Sequence, residues 1–200
     1  APPGGRHGGK YYLNTYALDQ RPLYGLPSLT LHEAVPGHHF QNALSLELEN
    51  VPEFRRNLYF SAFGEGWALY SERLAAEMGL YHTPLERFGA WESEAHRAAR
   101  LVVDTGMHAL GWSRQEAVDY LVTNSPLALN NIESEVERYI GMPGQALAYM
   151  IGRREVQRLR AEAEATMGSD FDIKGFHDTV LSPGPVPLDL LGELVTDWAS

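Results

Sequence analysis

Eight residues, His32-Glu33-Ala34-Val35-Pro36-Gly37-His38-His39, set three histidines and a glutamate inside an apolar, helix-prone run that a proline interrupts. Histidine is the commonest protein ligand for zinc, and a carboxylate beside a ligand is where a general base for an activated water sits. The spacing departs from His-Glu-x-x-His, in which two histidines one helical turn apart reach one ion. On an unbroken helix His38 would be rotated by about 240° from His32, and His39 would face the same way roughly 10 Å further along. Neither could share a metal with His32. Pro36, however, cannot donate to the carbonyl of residue 32, and its ring clashes with that carbonyl. Gly37 tolerates the backbone angles of a bulge. A helix that begins near Ser28, buckles over 35–37 and resumes would bring His38 close to the place of an i+4 ligand. The competing reading is a proline-kinked core helix with polar histidines at its rim.

The whole chain sets bounds on what such a run can belong to. Two hundred residues allow one domain that buries about 70% of the surface its unfolded chain exposes. A hydrophobic fraction of 44% and a charged fraction of 21% are ordinary for a globular protein and exclude disorder. The formal charge of -10 opposes a general affinity for nucleic acid or an anionic membrane surface. No apolar run reaches the ~20 residues of a membrane span, and the opening Ala1-Pro2-Pro3-Gly4-Gly5 lacks the charged and apolar regions of a signal peptide. The compartment is left open by these observations. With no cysteine, any metal must be held by His, Asp and Glu. Two imidazoles favour zinc over magnesium or calcium, with manganese, cobalt or iron as alternatives.

Residues 1–9 are rich in Gly and Pro and read as a loop. Lys10–Tyr16, carrying Tyr11, Tyr12 and Tyr16, reads either as a strand or as an aromatic-rich loop. Helices are expected over about 28–49 with Ser28 as cap, 53–78 closed by Gly79, and 84–110 behind Thr83 and Pro84. Ser113 and Glu116 form a capping-box pattern for a helix that ends near Thr123. Further helices follow over about 127–140, 144–166, 172–181 and 188–198. The expected fold class is mainly α, with one or two short strands near the N-terminus at most.

A zinc site with two histidines needs a third protein ligand. Glu65 lies far enough beyond His38 for one helix to finish and another to return antiparallel, and Glu72, seven residues on, shares its face. Gly64, Gly66, Ala68 and Ser71 are small and allow close helix approach, and a carboxylate turned into such a contact needs a cation or hydrogen bond. A solvated acidic face is the alternative for both glutamates. Glu33 points about 100° away from His32 around the helix, where it would flank an open coordination position and act as base. Arg97, Leu101, Asp104 and His108 follow the spacing of a buried stripe. Asp104 would receive the free ring N–H of a bound histidine, or Asp104 and His108 would simply tie helices together. Tyr139 is the first candidate to stabilise charge on a carbonyl oxygen, with Tyr149 and His177 behind it. His7, His82 and His96 read as surface or capping residues.

The run from His32 to His39 does not stand alone. With Gly9-Lys10-Tyr11-Tyr12-Leu13-Asn14-Thr15, Gly64-Glu65-Gly66-Trp67-Ala68-Leu69-Tyr70-Ser71-Glu72, Val103-Asp104-Thr105-Gly106-Met107-His108 and Arg138-Tyr139-Ile140-Gly141-Met142-Pro143-Gly144-Gln145-Ala146, it resembles the bacterial domain-of-unknown-function 885 family, placed among the zincin-like metallopeptidases. The resemblance spans nearly the whole chain and names no substrate. It implies a zincin-like helical metallopeptidase domain over residues 1–200, lying at the C-terminal end of longer proteins. It also implies one zinc ion on His32, His38 and Glu65, with Glu33 as base. The resembled family can carry tyrosine at the position of His39, which favours His38 as the ligand and leaves His39 to the cleft wall. The thimet-oligopeptidase and Taq-carboxypeptidase families are more distantly similar. They carry a ligand glutamate at a similar distance after the second histidine and another acid seven residues later, a pattern that Glu65 and Glu72 match. An extended strand beside the metal helix in such peptidases would give Lys10–Tyr16 a use.

The expected activity is zinc-dependent hydrolysis of a peptide or related amide bond, with neither nucleic acid nor membrane as partner. The rivals are hydrolysis of a non-peptide amide, and a binding module that holds a metal structurally or holds none. Glu33 separates them, because a closed structural site has no need of a base. Related helical peptidases form their cleft between two halves. A second copy of the chain, or an N-terminal portion, is therefore expected to cover one side.

Overall fold

The structure, a computed structural model, describes residues 8–49 and 51–200. His7, the run before it, and Asn50 of the expected linker lie outside the described residues. Ten α-helices follow one another among the described residues: α1 (Leu26–Glu33), α2 (His38–Glu47), α3 (Glu53–Arg56), α4 (Ser61–Glu77), α5 (Pro84–Ala109), α6 (Arg114–Asn124), α7 (Leu129–Gly141), α8 (Gln145–Met167), α9 (Ile173–Leu181) and α10 (Leu188–Ala199). The fold is mainly α, and no strand occurs among the described residues. Lys10–Tyr16 takes the loop alternative. Its Tyr12 and Tyr16 stay exposed, and no neighbouring strand is there to receive its backbone hydrogen bonds. None of the helices is long and apolar enough to cross a membrane.

Local chemistry sets most of the boundaries. Thr83 with Glu86, and Ser113 with Glu116, form complete capping boxes at the starts of α5 and α6. Asp172 accepts from the backbone N–H groups of Lys174 and Gly175 to open α9. Gly79, with φ at 72°, lets the chain leave α4, and the N–H of Leu80 returns to the carbonyl of Ala75. Two expected helices are each divided. The 28–49 segment is α1 and α2 with a break between them. The 53–78 segment is α3 and α4, separated at Asn57–Phe60, where Phe60 is extended and packs on the core beneath α4.

α4 runs through the centre, and every residue from Phe63 to Glu72 is buried. Its Phe63, Trp67, Tyr70 and Leu74 pack with Val156 and Leu159 of α8, Phe176 and Val180 of α9, and Leu191 and Val195 of α10. A second apolar cluster joins Ala99 and Val103 of α5 to α6, α7 and the start of α8 through Leu121, Ile132, Val136 and Ala146. α8 belongs to both clusters and crosses α4 at a pair of glycines. A Cβ on Gly152 would stand 1.8 Å from the carbonyl oxygen of Ala62 and 2.7 Å from the Cα of Gly66. Only two backbones without side chains can come this close. Gly66 thus serves the contact of α4 with α8, while Glu65 faces α1 and α2 and Glu72 faces α1 and α5.

Candidate metal centre

α1 begins at Leu26 with Pro27 in its first turn, one turn before the expected cap, so Ser28 lies inside the helix and its hydroxyl is free for another partner. The helix ends where Pro36 removes a donor. Ala34 still bonds back to Thr30, but the next N–H with a backbone partner, that of Gly37, reaches the carbonyl of Leu31 at 3.1 Å, six residues back. The Val35–Pro36 peptide is cis. Gly37 lies against the end of α1 so closely that a Cβ there would sit 1.9 Å from the carbonyl oxygen of His32. Its φ of -73° is open to any residue, so the close approach is what requires glycine. The indole N–H of Trp67 donates to the carbonyl of Pro36 at 2.8 Å and ties the looped residues to α4. With those residues turned aside, the rings of His32 and His38 meet edge to face at 4.8 Å.

α4 passes antiparallel to this break and presents two carboxylates to it. Oε2 of Glu65 lies 3.1 Å from Nε2 of His38 and 3.5 Å from Nε2 of His32. On the other side of the His32 ring, Nδ1 contacts Oε1 of Glu72 at 2.7 Å. Glu72 also accepts from the hydroxyls of Ser28 at 2.5 Å and Ser93 at 2.7 Å. His32, Glu65 and Glu72 are all buried.

One proton cannot satisfy both faces of His32. If Nδ1–H is donated to Glu72, Nε2 turns a lone pair toward Glu65 unless a second proton or a cation lies between them. The electrostatics agree that positive charge belongs there. Burial pushes the His32 pKa down, but the hydrogen bonds to Glu65 and Glu72 outweigh it and leave the imidazole raised. Burial pushes Glu65 up, and the bonds from His32 and His38 overcome it and hold the carboxyl well below the usual range. Glu72 is lowered in the same way against its own burial, by His32 first and Arg97 next. A divalent ion meets this demand. Tetrahedral zinc with nitrogen and oxygen ligands at about 2.0–2.2 Å sets its ligand atoms about 3.4 Å apart. The three donor atoms of His32, His38 and Glu65 all lie within 4.8 Å of one another, two of the pairs at 3.1 and 3.5 Å. The donor set fits.

A cavity of about 460 Å³ opens over these three residues. Glu33 lines it from the exposed edge of α1, Tyr149 from α8, and Arg97, Arg100, Glu135 and Arg138 from α5 and α7. A second cavity of about 380 Å³ lies on the other side of Glu33, walled by Lys10–Tyr12, Leu29 and His39. His38 therefore joins the triad, and His39 faces the neighbouring groove. The Tyr149 ring stacks on His32 at 6.2 Å with 19° between planes, and its hydroxyl accepts from Gln145 at 3.1 Å. Gln145 also donates to Oε1 of Glu65 at 3.3 Å, and the hydroxyl of Tyr59 contacts the same oxygen at 3.4 Å.

Several expected residues lie elsewhere. Tyr139 is fully buried, and its hydroxyl is taken up by Glu135 at 2.7 Å, Arg100 at 2.9 Å and His96 at 3.1 Å, so it is not brought to the cavity. His96 is itself buried, unlike the surface residue the sequence suggested, because α7 covers that face of α5. Asp104 accepts from the N–H of Gly144 at the start of α8, and His108 contacts the carbonyl of Tyr139 at the end of α7, so the pair ties helices together. His177 pairs with Tyr70 at 2.8 Å and packs on Trp67, within the first apolar cluster. His82 is exposed and its N–H completes the cap of α5. Tyr59, Gln145, Arg100 and Arg138 were not singled out as site residues. Gln145 lies within one of the quoted motifs, and Arg97 lies on the stripe of α5. Tyr59 carries no local signal, because the helix break that frees it depends on tertiary packing.

Among curated proteins none matches the chain. Solved structures do, among them two from bacteria. The "putative lipoprotein" from Colwellia psychrerythraea is 42% identical and superimposes with a TM-score of 0.92, covering 94% of this chain and 32% of its own. The "putative lipoprotein of unknown function" from Shewanella oneidensis is 26% identical with a TM-score of 0.85, covering 98% of this chain and 38% of its own. The chain thus spans about a third of the length of these relatives. The model of the bacterial proteins of unknown function DUF885 matches residues 1–195, and the chain belongs to that family.

Proposed function

We propose that this chain is the metal-holding part of a zincin-like hydrolase that cleaves a peptide or related amide bond. Zinc would be bound by His32, His38 and Glu65. The observation that carries the reading is the convergence of two imidazole nitrogens and one carboxylate oxygen within 4.8 Å at the floor of a cavity that Glu33 also lines. A structural site would be closed by a fourth protein ligand and would leave a neighbouring glutamate idle. When bound, a divalent ion would supply Lewis acidity, polarising a carbonyl and acidifying a water. Glu33, which lines the same cavity, would take a proton from water and return it to the departing amine. Glu72, held by Ser28 and Ser93, fixes the tautomer and the angle of the His32 ring. Gln145 donates to the Tyr149 oxygen, so the phenol proton of Tyr149 is free for a carbonyl oxygen on which charge develops.

The test is metal content measured beside hydrolysis of a peptide library. About one zinc per chain is expected, lost in His32→Ala, His38→Ala and Glu65→Gln and kept in Glu33→Gln. Hydrolysis should fall in Glu33→Gln by roughly 10²- to 10⁴-fold, the contribution typical of a positioned acid or base. Full activity in that variant would remove the base, and stoichiometric metal in His38→Ala would remove the ligand set.

A further inference from the structure

Three arginines share the cavity with the candidate metal ligands: Arg97 and Arg100 from α5, and Arg138 from α7. In a chain of net charge -10 this is a local concentration of positive charge. Glu135 answers part of it, contacting the guanidinium groups of both Arg100 and Arg138 at 2.7 Å. With Glu33 and Glu65 the lining holds three carboxylates against the three arginines, so a divalent ion on His32, His38 and Glu65 would leave the partly desolvated wall net positive, an arrangement that costs free energy unless an anion completes it. The unused donors point to the same need. Arg97 Nε, Arg100 Nη1 and Arg138 Nε are buried without a hydrogen-bond partner among the described residues, so the protein leaves all three guanidinium groups incompletely paired, and half-buried Arg97 is the one that keeps its fork open to the cavity.

We propose that Arg97, Arg100 and Arg138 form a receptor for a carboxylate of the substrate, about one residue away from the bond to be cut. The guanidinium fork matches a carboxylate with two parallel hydrogen bonds, which a neutral amide cannot reproduce. The spacing rests on Tyr149, whose ring lies 6.2 Å from that of His32 and carries Arg100 at 4.5 Å and Arg97 at 5.8 Å on its centroid. Metal ligands and arginines are thus separated by one tyrosine ring. An extended residue advances roughly 3.5 Å, so a terminal residue with its carboxylate spans such a gap and a long peptide does not need to. This assignment depends on the hydrolase reading for its place beside the reacting bond, and it makes the enzyme one that removes a residue from the C-terminus. In the reaction the hydroxyl of water joins the carbonyl carbon and the C–N bond breaks. The remaining proton of that water goes to the departing α-amine, giving a shortened peptide and one free amino acid.

An N-acetylated tripeptide in three forms tests the proposal: as the free acid, as its C-terminal amide, and as an amide whose last residue is glutamate. Affinity is measured by calorimetry on zinc-loaded Glu33→Gln, and cleavage is measured with the zinc-loaded native sequence. The free acid should bind at least tenfold more tightly than either amide. Adding Arg97→Met should weaken the acid by roughly 10- to 100-fold with little change for the neutral amide. Arg97→Lys should recover part of the loss, since it keeps the charge without the fork. Equal affinity for acid and neutral amide, or no binding of the acid, overturns the receptor, and this comparison requires no arginine variant to fold. Equal affinity for the acid and the glutamate amide overturns the terminal assignment and moves recognition to a side chain. Selective binding with no cleavage, at enzyme concentrations that would reveal turnover depressed roughly a hundredfold, would keep the receptor and defeat the hydrolase reading. Cleavage of acid and neutral amide alike would do the reverse.

Discussion

Glu72 gives the His32 ring its only exit for a proton on the side away from the cavity, and it is itself held by two serine hydroxyls. A buried carboxylate so bound is ionised and aligned, which keeps the Nε2 lone pair of His32 directed at an ion. Glu72→Gln should lower zinc affinity by about 10- to 100-fold, measured by competition with a chelator, while the helical circular dichroism stays near that of the native chain. Unchanged affinity would show that Glu72 is a packing residue alone. His96 tests a different residue-scale balance. Burial first, and then the charges of Arg100, Arg97 and Arg138, hold its pKa well below the ordinary 6.5. The folded histidine is therefore neutral, and the unfolded chain takes up the proton first as pH falls. The stability from His96 is complete above pH 6.5 and is lost as pH drops toward the folded value. His177 shifts in the same direction, through burial and then Arg160. The fall in Tm between about pH 6.5 and 5 should accordingly be shallower in His96→Gln. A slope identical to that of the native chain would show that other groups set the acid limit.

At the scale of elements, the break between α1 and α2 was legible because it depends on two residues whose backbone chemistry is local, Pro36 and Gly37. Gly37→Ala puts a Cβ on the carbonyl of His32, so the two histidines should be forced apart and metal lost even though no ligand is changed. Gly152→Ala probes the other close approach. A methyl cannot fit between α8 and the backbone of Ala62, so α4 must shift or the pair must separate. Overpacking of this kind costs about 2–3 kcal/mol, a Tm decrease of roughly 5–10 °C for a chain of this size. A calorimetric scan within 1 or 2 °C of the native Tm would mean that the crossing is looser than described. The starts of α5 and α6 were legible for the same local reason, as capping boxes. The loop at Lys10–Tyr16 was not settled by its sequence, since strand propensity in three tyrosines is realised only when a partner strand exists. Ser28 was read as a cap because Ser favours that position, but Pro27 starts the helix earlier and frees the hydroxyl for Glu72. The arginine wall of the cavity is the largest omission. Arg97 lies on the buried stripe of α5 and Arg138 opens a motif of its own, but only the packing of α7 against α5 brings them and Arg100 to one place.

The molecule as a whole leaves apolar surface open around its cleft. Leu18 and Leu23 are 66% and 77% exposed, and with Leu13, Leu29, Pro126 and Leu127 they line a groove of about 380 Å³ beside the N-terminal half of α5. On the same half of α5, Leu85 and Trp91 are 64% and 67% exposed. Surface of this kind on a globular chain commonly marks a place of association. The solved relatives contain almost three times as much chain, only 32% and 38% of which this fold covers. We therefore expect the 200 residues to bind metal by themselves but to catalyse poorly, because the cavity that His32, Glu33, His38 and Glu65 share with Tyr149 and the three arginines is open on its outer side, where a second wall would stand. Contacts remote from the reacting bond position the substrate and lower the barrier, so a missing wall should depress turnover as well as binding. Joining the chain to the further portion that the longer relatives carry should raise kcat/KM by at least tenfold and remove any self-association of the short chain in sedimentation. Equal turnover and a clean monomer for the 200 residues would mean that the groove has no occupant and that the cleft is complete with one wall.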